Sequence, residues 1–335
     1  MIHPIPPGTR DVLPDEMREL RRLHAALIGV FEERGYGEVA TPAIEYDEVL
    51  ARGDDQRVVG RTSGAYRFFD ESGDLLTLRS DMTVPIARLV SSRFAAAETP
   101  LRLFYLASAY RAVRPQRGQM REFVQAGVEL IGAPAPQGTA EVVEVLEAAL
   151  DAAGLNRAVI GLGDADLYRQ LLTELGVEGA ARDSIIERLA RHDLVGLEAE
   201  LSEVEGISDE QCATCVALSQ LRGGSEVLEQ ARSIGGAAVE RATARLQETY
   251  DELERRGAAD RVRIDLGLQR DLGYYSGAIL EVYDPALGYV LGGGGRYDRL
   301  LKRFGVDLPA AGFALHLERV HLAQMEEERR GGERR

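Results

Sequence analysis

Gln125 and Glu129 are the side chains from which chemistry is most readily drawn in this chain. Both fall in residues 121–131, where residue type alternates. Arg121, Phe123, Gln125, Gly127 and Glu129 point one way on an extended strand, and Val124, Ala126, Val128 and Leu130 point the other. The amide and the carboxylate then stand about 13 Å apart at roughly 3.3 Å per residue. A carboxylate accepts from ammonium and N–H groups, and an amide both donates and accepts. A strand with one apolar face and such a polar one suits a small-molecule site on a sheet; a solvated outer face is the competing reading. Residues 101–111, apolar and β-prone, supply the partner strand. Between the two, Arg114-Pro115-Gln116-Arg117-Gly118 reads as an exposed basic loop.

Three other features bear on chemistry. Cys212 and Cys215, the only cysteines, offer two of the four ligands of a structural zinc, with no histidine at suitable spacing. Their surroundings look helical and lack the strand a redox motif needs, so they read as two small buried thiols. The glycine run 292–295 lacks the trailing Lys and Ser/Thr of a P-loop and the spacing of a dinucleotide fingerprint. Glycines ending a strand instead let a ligand or another backbone approach closely. Asp81 stands just before a helical stretch and is placed to cap it.

The elements that must hold these residues follow from periodicity. Pro14, Asp15 and Glu16 open a helix with Leu20, Leu23, Leu27, Val30 and Phe31 on one side and Gly35 at its end. A short strand ends at Pro42. Residues 65–79 form a hairpin about Glu71-Ser72-Gly73, followed by a helix with Val84, Ile86, Leu89 and Val90 inward. Residues 139–153 are helical, 158–162 extended, and 164–257 mostly helical; β structure returns at 263–268 and runs to about 291. The stretch after Gln324 is a charged tail expected to fray. At 335 residues and a net charge of −15, the chain is long enough for a sizeable core and unlike a protein that grips nucleic-acid phosphates. No charged-then-apolar leader and no long apolar run is present, so a cytoplasmic, non-membrane protein is expected.

Residues 111–129 resemble motif 2 of class II aminoacyl-tRNA synthetases in its histidyl form, R-x-x-R-P-Q-x-G-x-x-R-E-F-x-Q-x-G-x-E. The opening Pro6-Pro7-Gly8-Thr9-Arg10-Asp11 and the helix–strand–proline succession resemble the start and motif 1 of histidyl-tRNA synthetases. Residues 268–277 and Gly293-Gly294-Gly295-Arg296-Tyr297-Asp298 resemble their two signatures, and residues 311–319 resemble motif 3. The resemblance runs from about residue 5 to 322. It implies an α+β fold, a class II antiparallel sheet flanked by helices, with a helical insertion subdomain. The division expected is 1–163 for the first part of the core, 164–257 for the insertion, 258–324 for the second part and 325–335 for the tail. Dimerisation through motif 1 is implied. So is a histidine pocket: Asp81 and Thr83 on the amino-group side, Arg111, Gln125 and Glu129 on the hairpin, and Arg270, Tyr274 and Tyr275 on the loop that closes over the amino acid.

The nucleotide side departs from the family pattern. Val113 stands where motif 2 carries a glutamate for the adenine amine, and His316 where motif 3 carries a glycine that lets adenine pack. Gly273 replaces an acid of the closing loop. Each lost partner in a buried site costs about 1–3 kcal/mol, so adenylation is expected to fail. The sequence also stops where synthetases continue into an anticodon-binding domain. This combination resembles the histidyl-tRNA-synthetase-like regulatory subunits of ATP phosphoribosyltransferase. That resemblance implies a non-catalytic chain without cofactor or metal, a hetero-oligomer with a short-form catalytic subunit, and L-histidine as effector of the first step of histidine biosynthesis. Whether histidine takes the old pocket or a subunit interface stays open. A truncated synthetase-like enzyme that adenylates histidine is the alternative, and an RNA-binding sensor a third reading.

Overall fold

In a computed structural model, residues 4–53, 64–112, 120–270 and 273–332 are described. Helix α1 (Pro14–Glu33) begins on a proline whose missing N–H is not needed there, with Asp15 and Glu16 facing the positive helix end. Leu20, Leu23, Leu27 and Phe31 bury one stripe, and Gly35, at φ 77°, turns the chain through the left-handed region. The next stretch is two strands in different sheets rather than one ending at Pro42: β1 (Gly37–Glu38) and β2 (Ile44–Tyr46). The crossing falls at Thr41-Pro42, where proline has no N–H for a ladder. Arg79 pins it, its guanidinium donating to the carbonyls of Thr41 (2.5 Å), Pro42 (3.2 Å) and Ser108 (2.8 Å).

After α2 (Asp47–Ala51), the expected hairpin forms as β3 (Arg67–Phe69) and β4 (Leu75–Leu78), and with β2 it makes a small sheet in the order β2-β4-β3. Glu45, Thr77 and Arg67 share one face, where Arg88 pairs with Glu45 at 2.7 Å and Asp47 accepts from Thr77 and Arg67 at 2.7 Å. The opposite face aligns Ile44, Tyr46 and Phe68 with Leu76 and Leu78, and the first three are exposed.

Helix α3 (Thr83–Arg93) leads into the long hairpin β5 (Leu101–Tyr110) and β6 (Glu122–Ile131), then α4 (Gln137–Ala152) and β7 (Val159–Asp164). Six helices follow: α5 (Leu167–Glu174), α6 (Gly179–Ala190), α7 (Leu194–Glu203), α8 (Asp209–Gln220), α9 (Glu226–Ile234) and α10 (Ala237–Arg256). A two-residue strand β8 (Arg222–Gly223) interrupts them. The chain closes with β9 (Val262–Asp265), β10 (Ala278–Tyr283), β11 (Val290–Arg296), a 3-10 turn at Leu301–Phe304, β12 (Ala310–His316) and α11 (Leu317–Gly332). Instead of fraying after Gln324, the charged stretch stays helical to Gly332, with Arg329 and Arg330 both bonded to Glu326.

Among the described residues, the main sheet has nine strands in the order β1-β5-β6-β12-β11-β10-β7-β9-β8. The β1–β5 and β7–β9 pairs are parallel and the other pairs antiparallel, so the α+β fold carries a mixed sheet. Both faces of β6 are buried. Ala126, Val128 and Leu130 join a large apolar cluster with α1, α4 and the helices from α5 to α10, Cys212 and Cys215 of α8 among them as free thiols. On the other face, Ile131 packs with Leu103 and Tyr105 of β5, Val84, Ile86 and Val90 of α3, and Tyr274 and Tyr297. The strand face that carries Gln125 and Glu129 is thus roofed, not solvated. The glycine run lies inside β11 between two neighbouring strands rather than at a strand end. Among the described residues, no helix is long and apolar enough to cross a membrane.

Candidate functional site

Of the residues singled out above, Asp81, Thr83, Arg111, Gln125, Arg270, Tyr274, Tyr275 and His316 line one cavity. Val113, the basic loop 114–118 and Asp271-Leu272 lie outside the described residues. Glu129 is beside the cavity but does not line it. Its carboxylate is 1% exposed and is covered by two hydroxyls. Thr83 Oγ1 donates to Oε1 at 2.8 Å, and Tyr297 OH donates to Oε2. Burial pushes the Glu129 carboxyl up to about 8, against the downward pull of those two hydrogen bonds. Tyr297 comes from the turn after β11 and Tyr105 from β5; sequence reasoning assigned neither to the site. The Gly-Arg-Tyr-Asp signature was the only signal for Tyr297.

Each side chain is positioned by an identifiable element. Asp81 ends the approach to α3 and accepts from the Val84 N–H at 3.2 Å, so it performs the capping role and borders the cavity as well. Gln125 sits on β6 opposite Ala107 of β5 and His316 of β12. Its Oε1 is buried and accepts no hydrogen bond. Arg270 lies across Gly293 of β11, where any side chain would collide with Nη1. Nη1 donates to the Leu280 carbonyl at 3.3 Å, while Nε is buried without a partner. Two side chains that line this polar space therefore each carry an orphaned polar atom, an acceptor on Gln125 and a donor on Arg270. Tyr274 and Tyr275 form its aromatic wall, their rings 4.9 Å apart, and burial raises both phenols. With Arg270 in place the space measures only about 30 Å3, room for a water.

Arg111 and His316 separate this cavity from a larger one of about 600 Å3, bordered also by Arg10, Phe123, Tyr289 and Arg319. His316 stacks on Phe123 with ring centroids 4.7 Å apart and planes at 26°, and the Arg111 guanidinium stands 5.1 Å from the same ring. Burial, with Arg111, Arg319 and Arg270 nearby, holds His316 well below its ordinary value, so its imidazole is neutral near pH 7. The imidazole covers one face of the Phe123 ring. Among the described residues, no group of three or more His, Cys, Asp or Glu side chains is arranged to hold a metal ion.

Sheet order, helical insertion and motif placement together define a class II synthetase-like core of the histidyl type. The chain matches the histidyl-tRNA synthetase family over residues 8–320. The ATP phosphoribosyltransferase regulatory subunit of Desulforamulus reducens is 40% identical over 319 residues, 95% of this chain and 78% of that protein. The regulatory subunit of Symbiobacterium thermophilum is 41% identical, over 96% of this chain and 79% of that one. A solved structure from Bacillus halodurans, described as an ATP phosphoribosyltransferase regulatory subunit/histidyl-tRNA synthetase, matches with a TM-score of 0.84 at 32% identity, covering 97% of this chain and 84% of that one. The chain belongs to the ATP phosphoribosyltransferase regulatory subunits, a histidyl-tRNA-synthetase-like family.

Proposed function

We propose that this chain binds free L-histidine in the cavity bordered by Asp81, Thr83, Arg111, Gln125, Arg270, Tyr274 and Tyr275. In this reading it acts as the non-catalytic regulatory subunit of a hetero-oligomer with a short-form ATP phosphoribosyltransferase, carrying histidine feedback on the first step of histidine biosynthesis. The observation that carries the reading is the pair of orphaned atoms, Gln125 Oε1 and Arg270 Nε, on two side chains that line one space. An α-amino acid satisfies both, with its ammonium on the amide oxygen and Asp81 and its carboxylate on the guanidinium. Because the space is water-sized, histidine enters by moving the Arg270 side chain off Gly293 and turning it toward the ligand. Adenylation is disfavoured by His316, a bulky ring packed on Phe123 where motif 3 carries a glycine that lets adenine approach.

Reconstitution with a short-form catalytic chain tests the reading. The expected result is a stable complex whose phosphoribosyl transfer rises on assembly and falls with added histidine. The chain alone is expected to give no histidine-dependent ATP–pyrophosphate exchange. Absence of a complex, or robust exchange, would overturn it in favour of the adenylating enzyme.

Self-association is proposed through the outer face of the small sheet, which follows the motif 1 region directly. Ile44, Tyr46 and Phe68 are 45%, 51% and 39% exposed on one face with Leu76 and Leu78, a contiguous apolar surface of the kind that marks an interface. Tyr46→Lys is expected to convert a dimer to monomers in light scattering without lowering the melting temperature. An unchanged dimer mass would remove this face from consideration.

A further inference from the structure

A third cavity, of about 420 Å3, shares Tyr274 and Tyr275 with the amino-acid pocket and opens between them and helices α5, α6 and α10. That volume falls in the range of about 300–1,000 Å3 that small-molecule sites occupy. Its lining carries five arginines and two acids in a chain whose net charge is −15. Some of the arginines are matched. Arg241 Nη2 pairs with Glu174 Oε1 at 2.7 Å and Arg299 Nη2 with Asp166 Oδ1 at 2.9 Å, and Arg303 Nη1 donates to the Arg52 carbonyl at 2.8 Å. Arg169 and Arg182 differ. The Nε of each is buried without a hydrogen-bond partner, and the carboxylate within reach of Arg182 Nε, that of Asp183, stands off at 3.8 Å.

Buried N–H donors are rarely left unmade, because water has been removed and nothing has replaced it. The two guanidinium side chains that carry such donors line one cavity here, with more cations than acids around them. Guanidinium forks match the tetrahedral oxygens of phosphate and hold their charge at any physiological pH. We propose that this cavity binds a small phosphate-bearing anion, with Arg169 and Arg182 donating to its oxygens. The proposal stands apart from the identity of the ligand in the neighbouring pocket.

Calorimetric titration of the full chain with inorganic pyrophosphate at low ionic strength is the test. Saturable binding is expected, weakened about tenfold or more by Arg169→Gln and by Arg182→Gln, since each removes a charge-assisted donor. Arg319→Gln, in the separate 600 Å3 cavity, is expected to leave pyrophosphate affinity unchanged. Thermal melting of each variant establishes that it folds, and Arg169→Lys is expected to recover part of the affinity. Three outcomes overturn the proposal. One is no saturable binding at millimolar pyrophosphate; another is loss of binding in Arg319→Gln with Arg169→Gln unaffected. The third is binding of an acidic peptide where pyrophosphate fails, which would make the cavity a protein contact.

Discussion

Glu129→Ala is expected to weaken histidine binding about tenfold or more, the cost of removing a buried hydrogen-bonded group that holds lining side chains in place. The effect is partly indirect, because Glu129 borders the cavity through Thr83 and Tyr297, which it fixes by hydrogen bonds. Its titration adds a signature that a structural role alone would not give. With its carboxyl raised to about 8 by burial, Glu129 is mostly protonated at pH 7. A ligand ammonium brought into the neighbouring cavity favours the carboxylate, so binding releases a proton and affinity rises with pH until about 8, then levels. Glu129→Gln is expected to abolish that rise. Stability should move the other way. The folded value lies above the ordinary 4.5, so the native state binds the extra proton between those limits and stability falls as pH climbs from 4.5 to about 8. The glutamine variant loses this penalty and is expected to be more stable than the parent at pH 8 while binding histidine less well. Urea unfolding and calorimetry at pH 6, 7 and 8 read both effects. An unchanged dissociation constant in Glu129→Ala would place the effector elsewhere.

Gly312→Ala is expected to cost about 1–3 kcal/mol of stability, the usual penalty of overpacking. Gly312 lies on β12 directly across from Glu129, and an added methyl would run into Glu129 Oε2 and the Val128 carbonyl. Neither can yield cheaply, since one belongs to a sheet ladder and the other is held by two hydroxyls. The same substitution is expected to lower histidine affinity by displacing the carboxylate. Gly288→Ala serves as the comparison, as nothing stands within 4 Å of a methyl there. Equal urea midpoints for the two variants would show that the sheet accommodates the methyl and that the close approach at Gly312 is not a constraint.

The alternation in β6 was legible because period-two patterning survives any tertiary arrangement, and it separated Ala126, Val128 and Leu130 from Gln125 and Glu129. The roof over the polar face was not legible, since it is built from α3, Tyr274 and Tyr297, which are distant in sequence. Tyr297 could be named as part of a signature but not assigned to Glu129, because that contact depends on how the turn after β11 packs. His316 was identified by its place in a motif, whereas its stack on Phe123 needs the register of β12 on β6. The change of sheet at Pro42 was missed for the opposite reason: a proline announces that a ladder stops, not that another begins a few residues later. Nor did periodicity distinguish a charged helix end from a frayed tail, a choice made by the arginines that fold back on Glu326.

One apolar cluster runs without a break from the sheet through α4 into helices α5 to α10. The helical segment therefore shares its interior with the sheet instead of hanging from it by a linker, and the two are expected to melt as one cooperative unit. Arg169 and Arg241 are carried on α5 and α10, which pack into that shared interior. A guanidinium cluster mounted on such helices has its charges gathered when the chain folds, which lowers the entropy lost when an anion binds.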